Sequence, residues 1–194
     1  MPALSERSVV QVTVADPRVR PLLRELGEEY SARYGKDAHA ELARYPDEEF
    51  TAPHGGVLLL LLEGGEPVAG GAFRRYDAGT AELKRIWTHS GHRRRGLARE
   101  VVAELEREAL ARGYRRIYLT TGPRQPEARA LYLNTGYRPL FDTEAGVEGA
   151  EALRALTAAR LAENLPRVDS VTVSPDVLTG LLARLTGRTP DGTR

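Results

Sequence analysis

Apolar and polar residues alternate over Ser8–Val14 (SVVQVTV), a β-branched run that predicts a strand. The period changes at Asp16-Pro17. Val19, Leu22, Leu23, Leu26 and Tyr30 recur at helical spacing to about Tyr34, with Pro17 at a permitted first-turn position and Gly35 as the stop. Residues 36–55 are polar and broken by Pro46 and Pro53, with room for a short helix around 38–44. Val57–Leu62 is apolar at every position, which suits a central strand covered on both faces. Glu63-Gly64-Gly65-Glu66 reads as a hairpin turn and Pro67–Tyr76 as the return strand, with Gly70-Gly71 marking a bulge or a close approach. After a turn at Asp77-Ala78-Gly79, Ala81–Thr88 completes an antiparallel meander.

Longer periods follow. Leu97, Val101, Leu105 and Ala109 form one stripe of a helix running to Arg112 and capped by Gly113. Arg115–Thr121 is a strand, Pro126–Asn134 a helix ended by Thr135-Gly136, and Tyr137–Phe141 a further strand. A meander followed by strand-helix-strand-helix-strand predicts an α+β fold with one parallel crossover. Beyond it, Glu148–Asn164 reads as helix on Leu153, Leu156 and Leu161, and Arg167–Val173 as strand. A last helix begins at Ser174-Pro175 and carries the stripe Val177–Leu185. The expected organisation is a core over 8–142, an extension over 143–187 that completes or flanks it, and a disordered tail over 188–194.

Composition changes this picture little. The 194 residues carry 28 Lys+Arg against 27 Asp+Glu, a formal net charge of +1, which gives no global reason to expect nucleic acid. There is no cysteine, so disulfides, thiolate metal sites and cysteine nucleophiles are excluded. The first residues lack a basic stretch followed by an apolar one, and the longest apolar run, Val57–Leu62, falls far short of the roughly 20 residues a bilayer demands. No signal peptide and no membrane association are expected, and a cytoplasmic location fits.

The chemistry concentrates after the Ala81–Thr88 strand. His89-Ser90-Gly91-His92 leads into Arg93-Arg94-Arg95-Gly96-Leu97-Ala98 and directly into a helix. A helix start offers free N–H groups and the positive end of the dipole, where phosphate binds. Gly96 and the small Ala98 let a phosphate approach the backbone, and arginines add charge. Taken alone, six loosely specified positions describe a solvated basic turn equally well. Their placement between a meander strand and a long helix favours the anion site.

In that setting Arg93, Gly96 and Ala98 match the Q/R-x-x-G-x-G/A signature, and the chain resembles the GNAT superfamily of acyl-CoA N-acyltransferases, in its small bacterial acetyltransferase form. Leu83-x-x-Ile86-x-Thr88 looks like that family's fourth strand, with Thr88 and Ser90 where valine and proline are common. Gln125-x-x-Ala128-x-x-Leu131-Tyr132-x-x-x-Gly136-Tyr137 resembles the block that closes the fold, with Gln125 in place of asparagine and Tyr137 in place of phenylalanine. The resemblance covers about residues 8–142. It implies a mixed, mostly antiparallel central sheet with helices on both faces and a splayed strand pair for CoA.

The resemblance also implies roles. Backbone groups of Ile86, Trp87 and Thr88 would pair with the pantetheine arm of acetyl-CoA, the acyl donor, and no metal would take part. Backbone N–H groups from Arg94 through Arg95, Gly96, Leu97 and Ala98 to Arg99 would hold the pyrophosphate, with Arg93 shaping the loop. Gln125 and Ala128 would lie beside the arm. Tyr132 matches the family's general acid, which returns a proton to the CoA thiolate; the plain alternative is a packed aromatic. Glu82 stands where some members carry a catalytic base, roughly 20 Å along the strand from Thr88. Its alternatives are a surface pair with Lys84 or Arg85, or a water chain in place of a base.

The acceptor, a small amine or peptide, would be chosen by the loops around Tyr30–Gly56 and by the C-terminal region. Tyr30, Tyr34, Asp37, Glu48 and Glu49 are candidates, with carboxylates there drawing in a cationic amine. His54 is a further acceptor-side candidate, whereas His89 and His92 read as solvent-facing turn residues. The main competing function is a non-catalytic acyl-CoA-binding or interaction module, in which the Val177–Leu185 stripe packs on its own domain or forms a homodimer contact. Nucleic-acid binding through His92–Arg95 lacks a second basic cluster beside it.

Overall fold

The computed structural model describes residues 6–35, 42–121, 125–139 and 155–158. A strand β1 (Arg7–Val12) precedes helix α1 (Arg20–Tyr34), which is entered through a single turn at Pro17–Val19. Asp16 caps that turn by accepting the Arg18 N–H. The meander is β2 (Val57–Glu63), β3 (Glu66–Arg75) and β4 (Thr80–Thr88). Then come α2 (Leu97–Ala111), β5 (Arg116–Thr120), α3 (Pro126–Asn134), β6 (Tyr137–Pro139) and β7 (Ala155–Ala158). The sheet order is β1-β2-β3-β4-β5-β7-β6. Among the described residues only β4 and β5 pair in parallel, through the α2 crossover; the other pairings are antiparallel.

The all-apolar β2 is explained by its two covered faces. Val57, Leu59 and Leu61 point into a core shared with Val101, Leu105 and Ala109 of α2 and with Tyr132 of α3. Leu58, Leu60 and Leu62 point into a second core with Val19, Leu22 and Leu26 on the α1 side. All six β2 residues from Val57 to Leu62 are buried, each worth roughly 2 kcal/mol relative to exposure.

One expected element is corrected. Within the span Glu148–Asn164 read as helix, Ala155–Ala158 is strand and pairs with Ile117–Thr120 on one side and Tyr137–Pro139 on the other; the rest of that span lies outside the described residues. Local spacing favoured helix there, but β5 and β6 otherwise leave a gap in the sheet, and filling it satisfies backbone groups on both neighbours. The expected short helix around 38–44 is helical at residues 42 and 43, and its earlier part lies outside the described residues. The strand at 167–173, the helix after Ser174 and the tail lie outside them as well.

Candidate active site

β4 begins beside β5 and then parts from it. Parallel pairing joins Thr80–Glu82 to Arg116–Tyr118, and among the described residues Leu83–Thr88 have no partner on that side. The backbone of β4 therefore faces an open gap, as the splayed pair requires.

A bulge re-aims the strand at the same place. Between the pairs Gly70–Trp87 and Ala72–Lys84, two residues of β4 (Arg85 and Ile86) stand against one of β3 (Gly71). Arg85 takes a φ of 57°, a conformation an L residue seldom adopts. The extra residue shifts the alternation. Leu83 and Ile86 pack on the α2 side and Trp87 on the α1 side, whereas four regular steps would leave Leu83 and Trp87 on one face. Gly71 makes room, since a Cβ there would come within 2.6 Å of Ile86 Cδ1. The three-residue step from Leu83 to Ile86, against the two-residue step from Ala81 to Leu83, was the sequence signal of this bulge.

The chain then turns through Ser90–His92 into α2. Glu25 of α1 organises that turn. It accepts Trp87 Nε1 at 2.9 Å, the Ser90 N–H at 3.0 Å and the Ser90 hydroxyl at 3.0 Å. Burial works to raise the Glu25 pKa, but these bonds and nearby His89 outweigh it and hold the carboxyl below its usual range. His89 accepts the Gly91 N–H and stacks edge-on with Trp87 and His92, so both turn histidines shape the loop. Arg94 (φ 62°) and Gly96 (φ 79°) complete it. Gly96 sits at the N-cap of α2 with no side-chain cap, which leaves the first-turn N–H groups to a ligand.

These parts border one cleft of about 890 Å³ between α1, the β4–β5 gap and α3. Ile86, Trp87, Thr88, Arg93, Arg94, Gly96, Leu97, Ala98 and Arg99 line it from β4 and the loop, and Gln125, Ala128 and Tyr132 from α3. Arg95 does not line it: its guanidinium grips Glu63 at 2.8 and 3.0 Å on the β2–β3 hairpin. Arg93 pairs with Glu29 at 3.4 Å. Arg33 of α1 donates to Glu127 of α3 at 3.0 and 3.2 Å, tying the two helices that flank the cleft.

Tyr132 is 5% exposed, its ring 5.3 Å from that of Tyr137. Burial, with Tyr30 adding a smaller contribution, pushes its hydroxyl pKa well above 10 and keeps it protonated. Glu82 lies elsewhere. It is 3% exposed, and its carboxylate is held by Arg74 at 2.8 Å and Lys84 at 2.9 Å. It is not among the residues of the cleft wall.

The acceptor side also differs from expectation. Tyr30 lines the cleft, but Glu48 and Glu49 do not, and Glu49 pairs with Arg74 at 2.8 Å. His54 contacts Thr51 instead of the cleft. Asp37 and the Tyr34 side chain lie outside the described residues. Among the described residues, cations dominate the cleft wall: Arg33, Arg44, Lys84, Arg85, Arg93, Arg94 and Arg99 face two carboxylates, Glu29 and Glu127. No group of three or more metal-ligating side chains occurs among the described residues, and none of their helices is long and apolar enough to cross a membrane.

The profile of the acetyltransferase (GNAT) family matches residues 20–137, from the first residue of α1 to the first of β6. The chain belongs to the GNAT acetyltransferase family. It is 36% identical over 78 residues to the uncharacterized N-acetyltransferase YsnE of Bacillus subtilis (strain 168), a match covering 39% of this chain and 52% of YsnE. The chain thus spans about half the length of that curated relative. An acetyltransferase from Streptococcus agalactiae 2603 shares the fold at a TM-score of 0.62 and 19% identity, with 78% of this chain and 97% of that one covered. The PaiA N-acetyltransferase of Thermoplasma acidophilum, solved in complex with coenzyme A, aligns at a TM-score of 0.61 and 13% identity over 79% of this chain and 98% of its own. The GNAT fold expected from the two sequence motifs is the fold observed.

Proposed function

We propose that the protein transfers an acetyl group from acetyl-CoA to a primary amine by direct attack. One observation carries this reading: the parted β4–β5 pair, the uncapped α2 start and the Tyr132 wall open into a single cleft. The N–H groups from Arg94 to Arg99 would take the pyrophosphate, the free edge of Ile86–Thr88 the pantetheine amides, and Gln125 and Ala128 the far side of the arm. For Arg95 this role rests on its backbone alone, because its side chain is committed to Glu63.

In the transfer, the amine nitrogen bonds to the thioester carbonyl carbon as the carbon–sulfur bond breaks. The electron pair leaves on sulfur, and Tyr132 gives the thiolate its proton. Burial keeps the phenol protonated, and solvent from the open cleft returns its proton once the thiolate has taken it. The nitrogen's excess proton passes to solvent in the open cleft, with Glu82 serving as the counter-ion that fixes Lys84 and Arg74.

The test is calorimetric titration of the purified protein with acetyl-CoA, followed by thiol release over a panel of primary amines. Binding together with amine-dependent release of CoA is expected. Failure to bind acetyl-CoA overturns the proposal.

A further inference from the structure

We infer that the acceptor carries a carboxylate beside its amine, and that the Arg85 guanidinium on the β4 bulge receives it. This deepens the acetyl-transfer reading and rests on it.

Arg85 is 8% exposed yet lines the cleft. Its Nη2 donates to the Leu42 carbonyl at 3.1 Å and to Asp47 Oδ1 at 3.3 Å, while the other terminal nitrogen, Nη1, is buried with no hydrogen-bond partner. The guanidinium carbon lies 4.1 Å from the centre of the Phe50 ring. A buried, unpartnered guanidinium nitrogen is costly, and a charged acceptor oxygen is the group that relieves the cost best. Asp47 neutralises Arg85 weakly because its own side chain is 59% exposed. Burial outweighs that carboxylate and depresses the Arg85 pKa, the mark of a cation short of counter-charge.

The surroundings repeat the preference. Lys84 and Arg44 line the cleft as well, Lys84 with its ammonium paired to Glu82 at 2.9 Å and 5.0 Å from the Tyr45 ring. The two carboxylates of the cleft wall belong to the opposite end: Glu29 pairs with Arg93 of the phosphate loop, and Glu127 is tied to Arg33, which also holds Glu29. Arg85 precedes Thr88 by three residues, roughly 10 Å up the strand and away from the α2 start. A site for the CoA phosphates is thus separate from Arg85, and an amine entering at the acyl end meets it.

The test compares amino acids with their decarboxylated counterparts as acceptors: phenylalanine with 2-phenylethylamine, leucine with 3-methylbutylamine, serine with ethanolamine. Wild type, Arg85→Gln and Arg85→Lys are assayed, and acetyl-CoA binding is titrated for each. The amino acid is expected to be favoured in kcat/KM by about ten- to a hundredfold in at least one pair. Arg85→Gln should collapse that ratio toward one through KM, with Arg85→Lys keeping part of it. Equal or reversed preference in every pair overturns the inference, as does an Arg85→Gln variant that loses acetyl-CoA affinity instead of acceptor selectivity. If acetyl-CoA binds and no member of any pair is acetylated, the acceptor class is wrong while the cofactor reading stands. If acetyl-CoA does not bind, both fall. Should Arg85→Gln fail to fold, the pair preference of the wild-type protein decides alone.

Discussion

Trp87 donates its indole N–H to Glu25 at 2.9 Å, and so the last turn of pairing in β4 is bolted to α1 at the point where the phosphate loop departs. The same carboxylate takes both the N–H and the hydroxyl of Ser90. One side chain therefore sets the exit of β4 and the entry to the loop.

Glu25→Ala strands the indole N–H, since Trp87 is 3% exposed, and frees Ser90. Removing the partner of a buried donor bonded to a charged group costs about 2 kcal/mol. Urea unfolding should show that loss, and calorimetry a weaker acetyl-CoA affinity. Unchanged values for both would mean that the loop holds its shape without Glu25.

Acid should loosen the same joint. The folded Glu25 pKa lies below its ordinary value, so its stabilisation is fully present above the unfolded carboxylate range and disappears as pH falls through the lower folded value. The wild-type midpoint in urea should drop over that acid interval more steeply than that of Glu25→Gln. Parallel curves would assign the acid sensitivity to other carboxylates.

Tyr132→Phe keeps the ring against Tyr137 and removes the proposed proton donor. A kcat lower by about a hundredfold is expected, with acetyl-CoA affinity kept. The sign of the pH effect follows from burial. The acid form is the active one and the pKa is raised, so Tyr132 should produce no alkaline fall in rate below pH 10. A wild-type rate retained by the phenylalanine variant would remove Tyr132 from the mechanism.

Gly71→Ala tests the bulge. The added methyl would meet Ile86 Cδ1 at 2.6 Å and Leu105 Cδ1 at 3.0 Å, and overpacking of this kind costs about 1–3 kcal/mol. Because Ile86 also lines the cleft, acetyl-CoA affinity should fall with stability. Gly56→Ala is the harsher control for stability alone: its Cβ would stand 1.9 Å from the backbone oxygen of Glu49, and Gly56 is not on the cleft wall.

Hydropathy and turn residues were enough to read the meander, α2, α3 and the α2 crossover, because each is defined by contacts between near neighbours in the chain. The Arg93–Ala98 and Gln125–Tyr137 motifs were enough to read the family, and residues of both line the cleft. They are local too: a helix start exposes its N–H groups whatever packs elsewhere.

What required the folded chain was everything set by distant partners. Ala155–Ala158 is strand because β5 and β6 flank it, not because its own spacing demands it. Glu82 is a held counter-ion because Arg74, eight residues away, reaches it across the β3–β4 register. Arg95 leaves the cleft because Glu63 lies within reach on a hairpin 32 residues earlier. Among the described residues Glu48 and Glu49 are absent from the cleft wall, and Arg85, on the bulge, is part of it. Charge at a site depends on which side chains share its walls, and only tertiary packing assigns the walls.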